Sequence, residues 1–340
     1  MDLREGKDFL VSDQFAVYNR DCIEGMSNLK SASIDFSVYS PPFASMYSYS
    51  SKDEDLGNCK NYLEFLHHYE FVILQISRLT KPGRISAVHC MDIPKGRFDH
   101  EDFPGDIIKL YKKHGFTYAD RKHIWKEPLR VALRSRAKKL THKQLCQDST
   151  KIGSALADQL LFFRKDGENE IPVSQGNGFK FFLGEFRSEW EQKEYDDLLK
   201  TYNNFKGDQK LNKLSHFIWR RYASSMWDDI RADRMLPYRE AKDPEDERHL
   251  CPLHLDVIQR AILLYTNPGE TVLTPFLGVG SEVYGAVELG RRGIGFELKE
   301  SYFRQAKRVL QNMGQKEEGE ANLFTGASSD FDSDFEGENF

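Results

Sequence analysis

Residues 272–297 read VLTPFLGVGSEVYGAVELGRRGIGFE, and their pattern is the strongest indication of the fold class. Its first apolar residues predict a strand that ends at Phe276, after which Gly278 and Gly280 precede a segment of helical character. A second strand ends at Glu297. A strand, a glycine-containing turn, a helix and another strand in this order are typical of a parallel sheet that is covered by helices.

The same alternation of strands and helices continues outward in both directions. Strands are predicted over residues 15–22, 33–40 and 84–91, and helices over residues 61–80, 106–116, 253–266 and 301–313. The alternation is lost between residues 167 and 235, where aromatic and charged residues follow no regular period. We therefore expect an α/β fold with a mostly parallel sheet and an insertion in its second half.

Charge is distributed unevenly along the 340 residues, although the net charge is only −5. Residues 121–143 contain nine bases and one acid, whereas residues 316–340 contain eight acids and one base. The basic segment suits the phosphates of a nucleic acid, and the acidic end is typical of a disordered tail. A solvated helix face is the alternative interpretation of the basic segment.

Five cysteines are scattered without a C-x-x-C pair, so neither a disulfide framework nor a metal site is expected. No apolar run reaches the length of a membrane span, and the first residues do not form a signal peptide. These features predict a cytoplasmic protein without a membrane partner.

The glycine-containing turn suggests a binding site for an adenosine-containing cofactor. Gly278 and Gly280 would let a ligand approach the start of a helix, and Glu297 lies where an acid can accept hydrogen bonds from ribose hydroxyls. The third glycine of a dinucleotide fingerprint is absent, because position 283 is valine. A cofactor without a pyrophosphate therefore fits better than a dinucleotide, and a tight structural turn is the alternative.

A second motif, Ser40-Pro41-Pro42-Phe43, ends the strand predicted over residues 33–40. The prolines fix a rigid extended corner, which leaves the Ser40 side chain and the Pro41 carbonyl free to accept hydrogen bonds beside the Phe43 ring. Two acceptors next to a stacking ring suit a planar group that carries an NH2. A strand end with a core phenylalanine is the alternative.

Together the two motifs resemble those of the DNA amino-methyltransferases, which modify N4 of cytosine or N6 of adenine. The family's [DSN]-P-P-[YF] motif is matched by residues 40–43, and its F-x-G-x-G motif is matched by residues 276–280. Their order along the chain resembles that of the circularly permuted beta class, and phage or prophage members look most similar. The resemblance implies a bacterial or phage-encoded enzyme with a Rossmann-like, S-adenosylmethionine-dependent methyltransferase sheet that is circularly permuted.

The resemblance also implies roles for individual residues. Ser40 and the Pro41 carbonyl would hold the target amine, Pro42 would shape the corner, and Phe43 would stack on the flipped base. The residues expected along S-adenosylmethionine are Asp21, Pro252, Phe276, Gly278, Gly280, Ser281 and Glu297. Among these, Glu297 would bind the ribose and Asp21 would contact the adenine amino group, although Asp21 could instead cap a helix.

Two positions depart from the family pattern. Thr274 stands where the family usually has aspartate, so a carboxylate near the sulfonium or the methionine amino group would be lost. Cys251 replaces the lysine that usually begins the segment containing Pro252. The first departure predicts weaker cofactor binding, or a different acid in the pocket.

Target recognition is expected to involve the basic segment and the irregular region. The DNA-binding candidates in the basic segment are Arg130, Arg134, Arg136, Lys138, Lys139 and Lys143. Candidates for sequence reading in the irregular region are Trp190, Trp219, Arg220, Arg221 and Trp227. A small helical subdomain packed by aromatic residues is the alternative for the second group.

Four segments follow from these observations. They are the first part of the catalytic domain at 1–166, a target-recognition insertion at 167–235, the second part of the catalytic domain at 236–313, and an acidic disordered tail at 314–340.

The function expected is site-specific methylation of an exocyclic amine in double-stranded DNA by base flipping, as in restriction-modification systems. The family resemblance implies cytosine N4, because serine at the position of Ser40 is commoner among its cytosine-N4 enzymes, and adenine N6 is the alternative. RNA or a protein amide is an alternative substrate, and a DNA-binding protein that has lost turnover is an alternative of another class. The family resemblance also makes a homodimer one expectation.

Overall fold

The computed structural model describes residues 3–42, 55–95, 99–129, 131, 142–241 and 252–313. Its strands are β1 (Arg4–Gly6), β2 (Phe9–Val11), β3 (Phe15–Asn19), β4 (Ile34–Tyr39), β5 (Thr80–Cys90), β6 (Ile93–Lys95), β7 (Asp99–Glu101), β8 (Phe116–Ile124), β9 (Asp158–Lys165), β10 (Met226–Trp227), β11 (Thr271–Thr274) and β12 (Arg292–Glu297). Its α-helices are α1 (Cys22–Ser27), α2 (Tyr62–Leu79), α3 (Phe103–Lys113), α4 (His142–Gln147), α5 (Glu189–Tyr202), α6 (Lys213–Ala223), α7 (Leu255–Tyr265), α8 (Ser281–Glu288) and α9 (Glu300–Met313).

One ten-stranded sheet forms the centre of the fold, with the order β1-β2-β3-β12-β11-β4-β5-β9-β8-β10. The strands β3, β12, β11, β4 and β5 are parallel, whereas β9 is antiparallel to both of its neighbours. Strand order reverses between β11 and β4, since β12 and β3 lie on one side and β5 lies on the other. In open α/β sheets, ligands bind outside the carboxyl ends of the strands at such a reversal.

Two hydrophobic cores cover the two faces of this sheet. Helices α7, α8 and α9 contribute residues such as Ile258, Val283 and Phe303 to one core. Helices α1, α2 and α3 contribute residues such as Met26, Phe65 and Ile107 to the other. All six residues of β4 are buried, as expected for a central parallel strand with helices on both faces. The predicted α/β class is therefore confirmed.

The amino ends of β4, β5 and β11 are joined by a buried polar network. Asp35 of β4 accepts hydrogen bonds from Lys81 Nζ at 2.5 Å and from the Thr271 backbone N–H at 2.9 Å. Arg84 of β5 donates to the Asp35 carbonyl oxygen at 3.0 Å and pairs with Glu270 through both of its terminal nitrogens. Because Asp35 and Arg84 are charged and buried, the contacts that pair them fix how the three strands align.

A third hydrophobic cluster lies within residues 167–235, the range predicted as an insertion. Helices α5 and α6 pack there around Phe179, Leu183 and Tyr222, and Leu263 of α7 joins the same cluster. The range also contains β10, which pairs with β8 at the edge of the main sheet. Its boundaries as a separate recognition domain stay a prediction.

An arginine cluster ties these helices to α7. Arg260, fully buried on α7, donates to the Leu183 carbonyl oxygen and pairs with Asp229 at 2.7 Å. Asp229 also pairs with Arg221 at 2.7 Å, and the Trp227 ring lies 5.2 Å from the Arg260 guanidinium. Each charge is thus paired, which is what makes its burial tolerable.

This cluster corrects part of the prediction for sequence reading. Trp227 and Arg221 are buried and hold the fold together, so they cannot face a nucleic acid, and the alternative of aromatic packing is right for both. By contrast, Trp190 is 72% exposed and Trp219 is 50% exposed. These two side chains remain candidates for contact with DNA.

None of the helices in the described parts of the chain is both long enough and apolar enough to cross a membrane.

Replacing Asp229 with alanine leaves Arg260 and Arg221 buried without their shared carboxylate. We expect Asp229→Ala to lower the free energy of unfolding by about 3–5 kcal/mol, as measured by urea denaturation. Asp197→Ala is the control, since Asp197 forms only an exposed pair with Lys200 on α5 and its loss should cost less than about 1 kcal/mol. Equal costs for the two variants would contradict the anchoring role.

Candidate active site

A cleft opens at the carboxyl ends of β4 and β11, where the strand order reverses. The first motif contributes Ser40, Pro41 and Pro42 to its walls. The second contributes the segment from Pro275 to Val279, and Glu297 closes the floor at the end of β12. The remaining lining residues include Arg20, Asp21, Asp55, Pro252, Phe296, Lys299, Ser281 and Glu282. The fold thus brings two motifs more than 230 residues apart to one site.

The glycine-containing turn has a backbone that only glycine adopts readily. Gly278 has a φ of 54° and Gly280 has a φ of 98°, both in the left-handed region. Gly280 is the N-cap of α8, and a Cβ there would meet Ala306 Cβ of α9 at 3.4 Å. The Gly278 N–H donates to Glu297 Oε2 at 2.7 Å, so the turn and the acid fix one another.

Asp21 serves as a helix cap and also lines the cleft. Its Oδ1 accepts hydrogen bonds from the backbone N–H groups of Ile23 and Glu24, both at 2.9 Å, at the start of α1. The capping alternative raised by the sequence is therefore observed, while contact with a cofactor stays a prediction. The two roles are compatible, because one carboxylate oxygen suffices for the cap.

Among the described residues that line the cleft, carboxylates outnumber bases. The acids are Asp21, Asp55, Glu282 and Glu297, and the bases are Arg20 and Lys299. The pKa of Glu282 is raised to about 8, mainly by burial and to a smaller extent by the nearby Glu297, against the lowering effect of a hydrogen bond from its own backbone N–H. Burial also raises the pKa of Glu297 to about 7, against the lowering effect of hydrogen bonds from the Lys299 and Gly278 N–H groups. A cation in the cleft would favour the ionised form of both acids, whereas an anionic ligand would oppose it.

Glu282 is a site residue that the motifs do not identify. It lies in the first turn of α8, is 5% exposed, and has no ion pair with a basic side chain within the described part of the chain. The adjacent Ser281 hydroxyl is buried without a hydrogen-bond partner among the described residues. A buried acid directly after a glycine turn was visible in the sequence, and its position beside the cleft could have been anticipated.

Thr274 does not take the place of an acid in the cleft. It is buried, is absent from the cleft wall, and donates its hydroxyl to the Phe276 carbonyl oxygen at 3.2 Å. Position 274 therefore supports the turn, and Glu282 supplies a carboxyl group to the same cleft from the helix that follows.

The structure brings most of the predicted cofactor and target residues to one place. Gly280, the N-cap of α8, and Lys143, on α4, are not among the residues that line the cleft. Five of the six DNA-binding candidates and one target residue lie outside the described residues. They are Arg130, Arg134, Arg136, Lys138, Lys139 and Phe43. Their roles, like those of the lining residues, stay predictions.

No group of three or more His, Cys, Asp or Glu side chains is placed to hold a metal ion in the parts of the chain that the structure covers.

The chain is similar in sequence to known proteins. A family model described as "DNA methylase" (N6_N4_Mtase) matches residues 34–308. The type II methyltransferase M.MjaI of Methanocaldococcus jannaschii is 35% identical over 81 residues, which are 24% of this chain and 24% of that protein. M.BamHI of Bacillus amyloliquefaciens is 23% identical over 296 residues, which are 87% of this chain and 57% of that protein. The chain therefore matches between about a quarter and just over half of these relatives' lengths.

Solved structures share the fold. TTHA0409 from Thermus thermophilus, in a complex with S-adenosyl-L-methionine, has a TM-score of 0.55 at 21% identity, covering 88% of this chain and 95% of that chain. PvuII DNA methyltransferase (cytosine-N4-specific) has a TM-score of 0.55 at 15% identity, covering 90% of this chain and 93% of that chain. At these identities the likeness concerns the fold alone.

The raised pKa values of the two buried acids predict a dependence of stability on pH. The folded protein holds protons on Glu282 and Glu297 more tightly than the unfolded chain, so their contribution to stability is complete near pH 4 and is lost as pH rises towards 8. Glu282→Gln should remove part of this fall, on the order of 1–3 kcal/mol between about pH 5 and 8. Urea denaturation across that range measures it.

The control is Glu300→Gln, because Glu300 is 58% exposed and pairs only weakly with Arg304 on α9. This variant should keep the pH dependence of the unaltered protein. If Glu282→Gln also kept that dependence, the Glu282 carboxyl group would not be buried in the way that the structure describes.

Proposed function

The chain belongs to the DNA methylase family whose model matches residues 34–308, and from this membership we propose that it transfers a methyl group from S-adenosylmethionine to an exocyclic amine of a DNA base. The proposal rests on one observation, which is that the serine–proline motif and the glycine-containing motif line the same cleft. Ser40, Pro41 and Pro42 line the same cleft as Phe276 and Gly278. Transfer to an amine needs an acceptor site and a cofactor site in contact, and this cleft has residues suited to both.

The residues of the cleft fit a cofactor that carries positive charge. S-Adenosylmethionine has a sulfonium and an ammonium group, and it supplies an electrophilic methyl group when bound. Asp21, Asp55, Glu282 and Glu297 would offset that charge, and the apolar side chains of Phe276 and Phe296 would contact the adenosine. The excess of acids explains why a pyrophosphate-containing cofactor is a poorer fit.

Ser40 and Pro41 would hold the target amine at the carboxyl end of β4. Each offers an oxygen acceptor, and hydrogen bonds to both amine hydrogens would hold the nitrogen with its lone pair towards the methyl group. The rigid Pro41-Pro42 corner keeps both acceptors in place before the base arrives. Phe43, outside the described residues, would stack on the flipped base.

Cytosine N4 is the target that we propose. Ser40 supports it, since serine at this motif position is commoner among cytosine-N4 enzymes, and the PvuII enzyme of similar fold is cytosine-N4-specific. Adenine N6 is the alternative, because a hydroxyl and a carbonyl oxygen can hold either amine. A DNA-binding protein that has lost turnover is the remaining alternative. It rests on Thr274 and Cys251, but Glu282 provides the cleft with another acid.

The test of this function is methyl transfer from labelled S-adenosylmethionine to unmethylated bacterial DNA, followed by nucleoside digestion and mass spectrometry. We expect N4-methylcytosine, whereas N6-methyladenine would overturn the choice of base. Cofactor binding without any modified base in DNA would overturn DNA as the substrate. Failure to bind millimolar S-adenosylmethionine in calorimetry would favour the inactive alternative.

Ser40→Ala should lower the transfer rate about 10- to 100-fold, because one of the two acceptors for the amine is removed. Cofactor affinity should stay unchanged. The matched control is Ser33→Ala, since Ser33 precedes the other end of β4 and its hydroxyl bonds only the Lys30 carbonyl oxygen. Equal rates for the two variants would contradict the role of Ser40.

The basic segment should govern the salt dependence of DNA binding. Replacing Arg134, Arg136 and Lys138 with alanine should lower the slope of log affinity against log salt by about 2 to 3, if each contacts one phosphate. A matched control replaces three lysines of α3, two of them in surface ion pairs: Lys109, Lys112 and Lys113. Binding measured by fluorescence anisotropy at several salt concentrations distinguishes the two, and an unchanged slope in the first variant would exclude these contacts.

A further inference from the structure

A buried histidine and a buried aspartate form a chain of contacts behind Ser40. His89 Nδ1 lies 3.4 Å from Ser40 Oγ, and His89 Nε2 lies 3.0 Å from Asp158 Oδ2. His89 is 8% exposed and Asp158 is 4% exposed. The first distance is long for a hydrogen bond, although contacts of this kind tighten when a substrate binds.

The sheet topology explains why these three residues meet. Tyr39 of β4 pairs with Val88 of β5, so the residues that follow them, Ser40 and His89, are neighbours at the carboxyl ends of two parallel strands. Strand β9 runs antiparallel to β5, and therefore its first residue, Asp158, lies at this same edge. The antiparallel direction of β9 therefore brings Asp158, at its start, close to His89 and Ser40.

The contacts assign a tautomer to His89. Burial opposes ionisation of Asp158, yet the pKa of its carboxyl group is held below the ordinary value by His89 and Lys126. Lys126 Nζ lies 2.6 Å from the same Oδ2 atom that faces His89 Nε2. An ionised Asp158 requires a proton on Nε2 to donate to it. Nδ1 of the neutral ring is then an acceptor, and it faces the Ser40 hydroxyl.

Titratable groups lie near the His89 ring in the described part of the chain. Besides Asp158 and Lys126, the structure places His254 near the ring, just before α7. Burial lowers the pKa of His254 to about 4, although the nearby Asp158 carboxylate acts in the opposite direction, so His254 is neutral in neutral solution. The Asp158 carboxylate is therefore the group that can stabilise a positive charge on His89.

We propose that His89, held by Asp158, is a positioning residue for methyl transfer that orients the Ser40 hydroxyl and receives its proton. The proposal rests on the proposed function. An Oγ–H bond aimed at His89 Nδ1 leaves the Ser40 lone pairs for the target amine. Ser40 then acts as an acceptor from the start, without the hydroxyl hydrogen competing for the amine.

The same contacts provide a path for the proton that the reaction releases. As the nitrogen–methyl bond forms and the sulfur–methyl bond breaks, the positive charge passes from sulfur to the amine nitrogen. That nitrogen gives a proton to Ser40 Oγ while the Ser40 hydroxyl proton moves to His89 Nδ1. Ser40 ends neutral, and the positive charge ends on the imidazole ring beside the Asp158 carboxylate until the ring releases its proton to water.

The experiment compares single-turnover methyl transfer by His89→Gln, Asp158→Asn and the unaltered protein, on the DNA that the unaltered protein methylates. We expect His89→Gln to lower the rate about 100-fold and Asp158→Asn at least about 10-fold. The Kd values for S-adenosylmethionine and for DNA should change by no more than about two-fold. Adding imidazole to His89→Ala should restore the rate about 10-fold, which a purely structural role would not allow.

His114→Gln is the matched control. His114, the residue that follows α3, forms another histidine–carboxylate pair, with Nε2 2.6 Å from Glu70 Oε1 of α2, and neither residue lines the cleft. It should keep the full transfer rate.

Three outcomes would overturn the proposal. They are a rate for His89→Gln within about three-fold of the unaltered protein, a joint loss of cofactor binding and rate, or no rescue of His89→Ala by imidazole. Absence of methyl transfer by the unaltered protein would instead overturn the proposed function, and this inference with it.

Discussion

The parallel pairing of β4 with β11 is the constraint on which the site depends. Val272 and Leu273 pair with Phe36 and Ser37, so the two chains leave the sheet side by side a few residues later. The network around Asp35 fixes this alignment from the opposite ends of the strands. A shift of one residue would move every side chain of β4 to the other face and would separate the two motifs.

Chain order and spatial order differ in this fold, and the difference has a chemical consequence. The serine–proline corner precedes the glycine turn in sequence, yet the two lie on neighbouring strands at the reversal of strand order. The antiparallel β9 adds Asp158 to the same edge, because its direction is opposite to that of its neighbour β5. The serine–proline corner therefore has a polar support on one side and the acid-rich part of the cleft on the other.

Sequence alone predicted the features that local physics controls. Helix α2 and strand β4 follow from apolar spacing, and the turn at Gly278 follows from glycine's freedom of backbone conformation. The contact between His89 and Asp158 was not predicted, because it joins residues 69 positions apart through strand pairing. The prediction that Trp227 contacts DNA was wrong for a similar reason. The sequence does not show whether a tryptophan is exposed or is buried against a distant partner, and the partner here is Arg260.

Glu282 shows how the cleft tolerates a residue that opposes stability. Glu282 has no cationic partner among the residues that the structure describes, so burial of its carboxyl group costs free energy in the free protein, and its raised pKa reflects that cost. Thr274 cannot provide a carboxylate, because its side chain is neutral and its hydroxyl bonds the turn. If the proposed cofactor binds, its positive charge stabilises the ionised Glu282 carboxylate. The free energy that burial of Glu282 costs in the free protein is then recovered on binding. Local destabilisation of this kind is expected where a site is arranged for a ligand rather than for the fold.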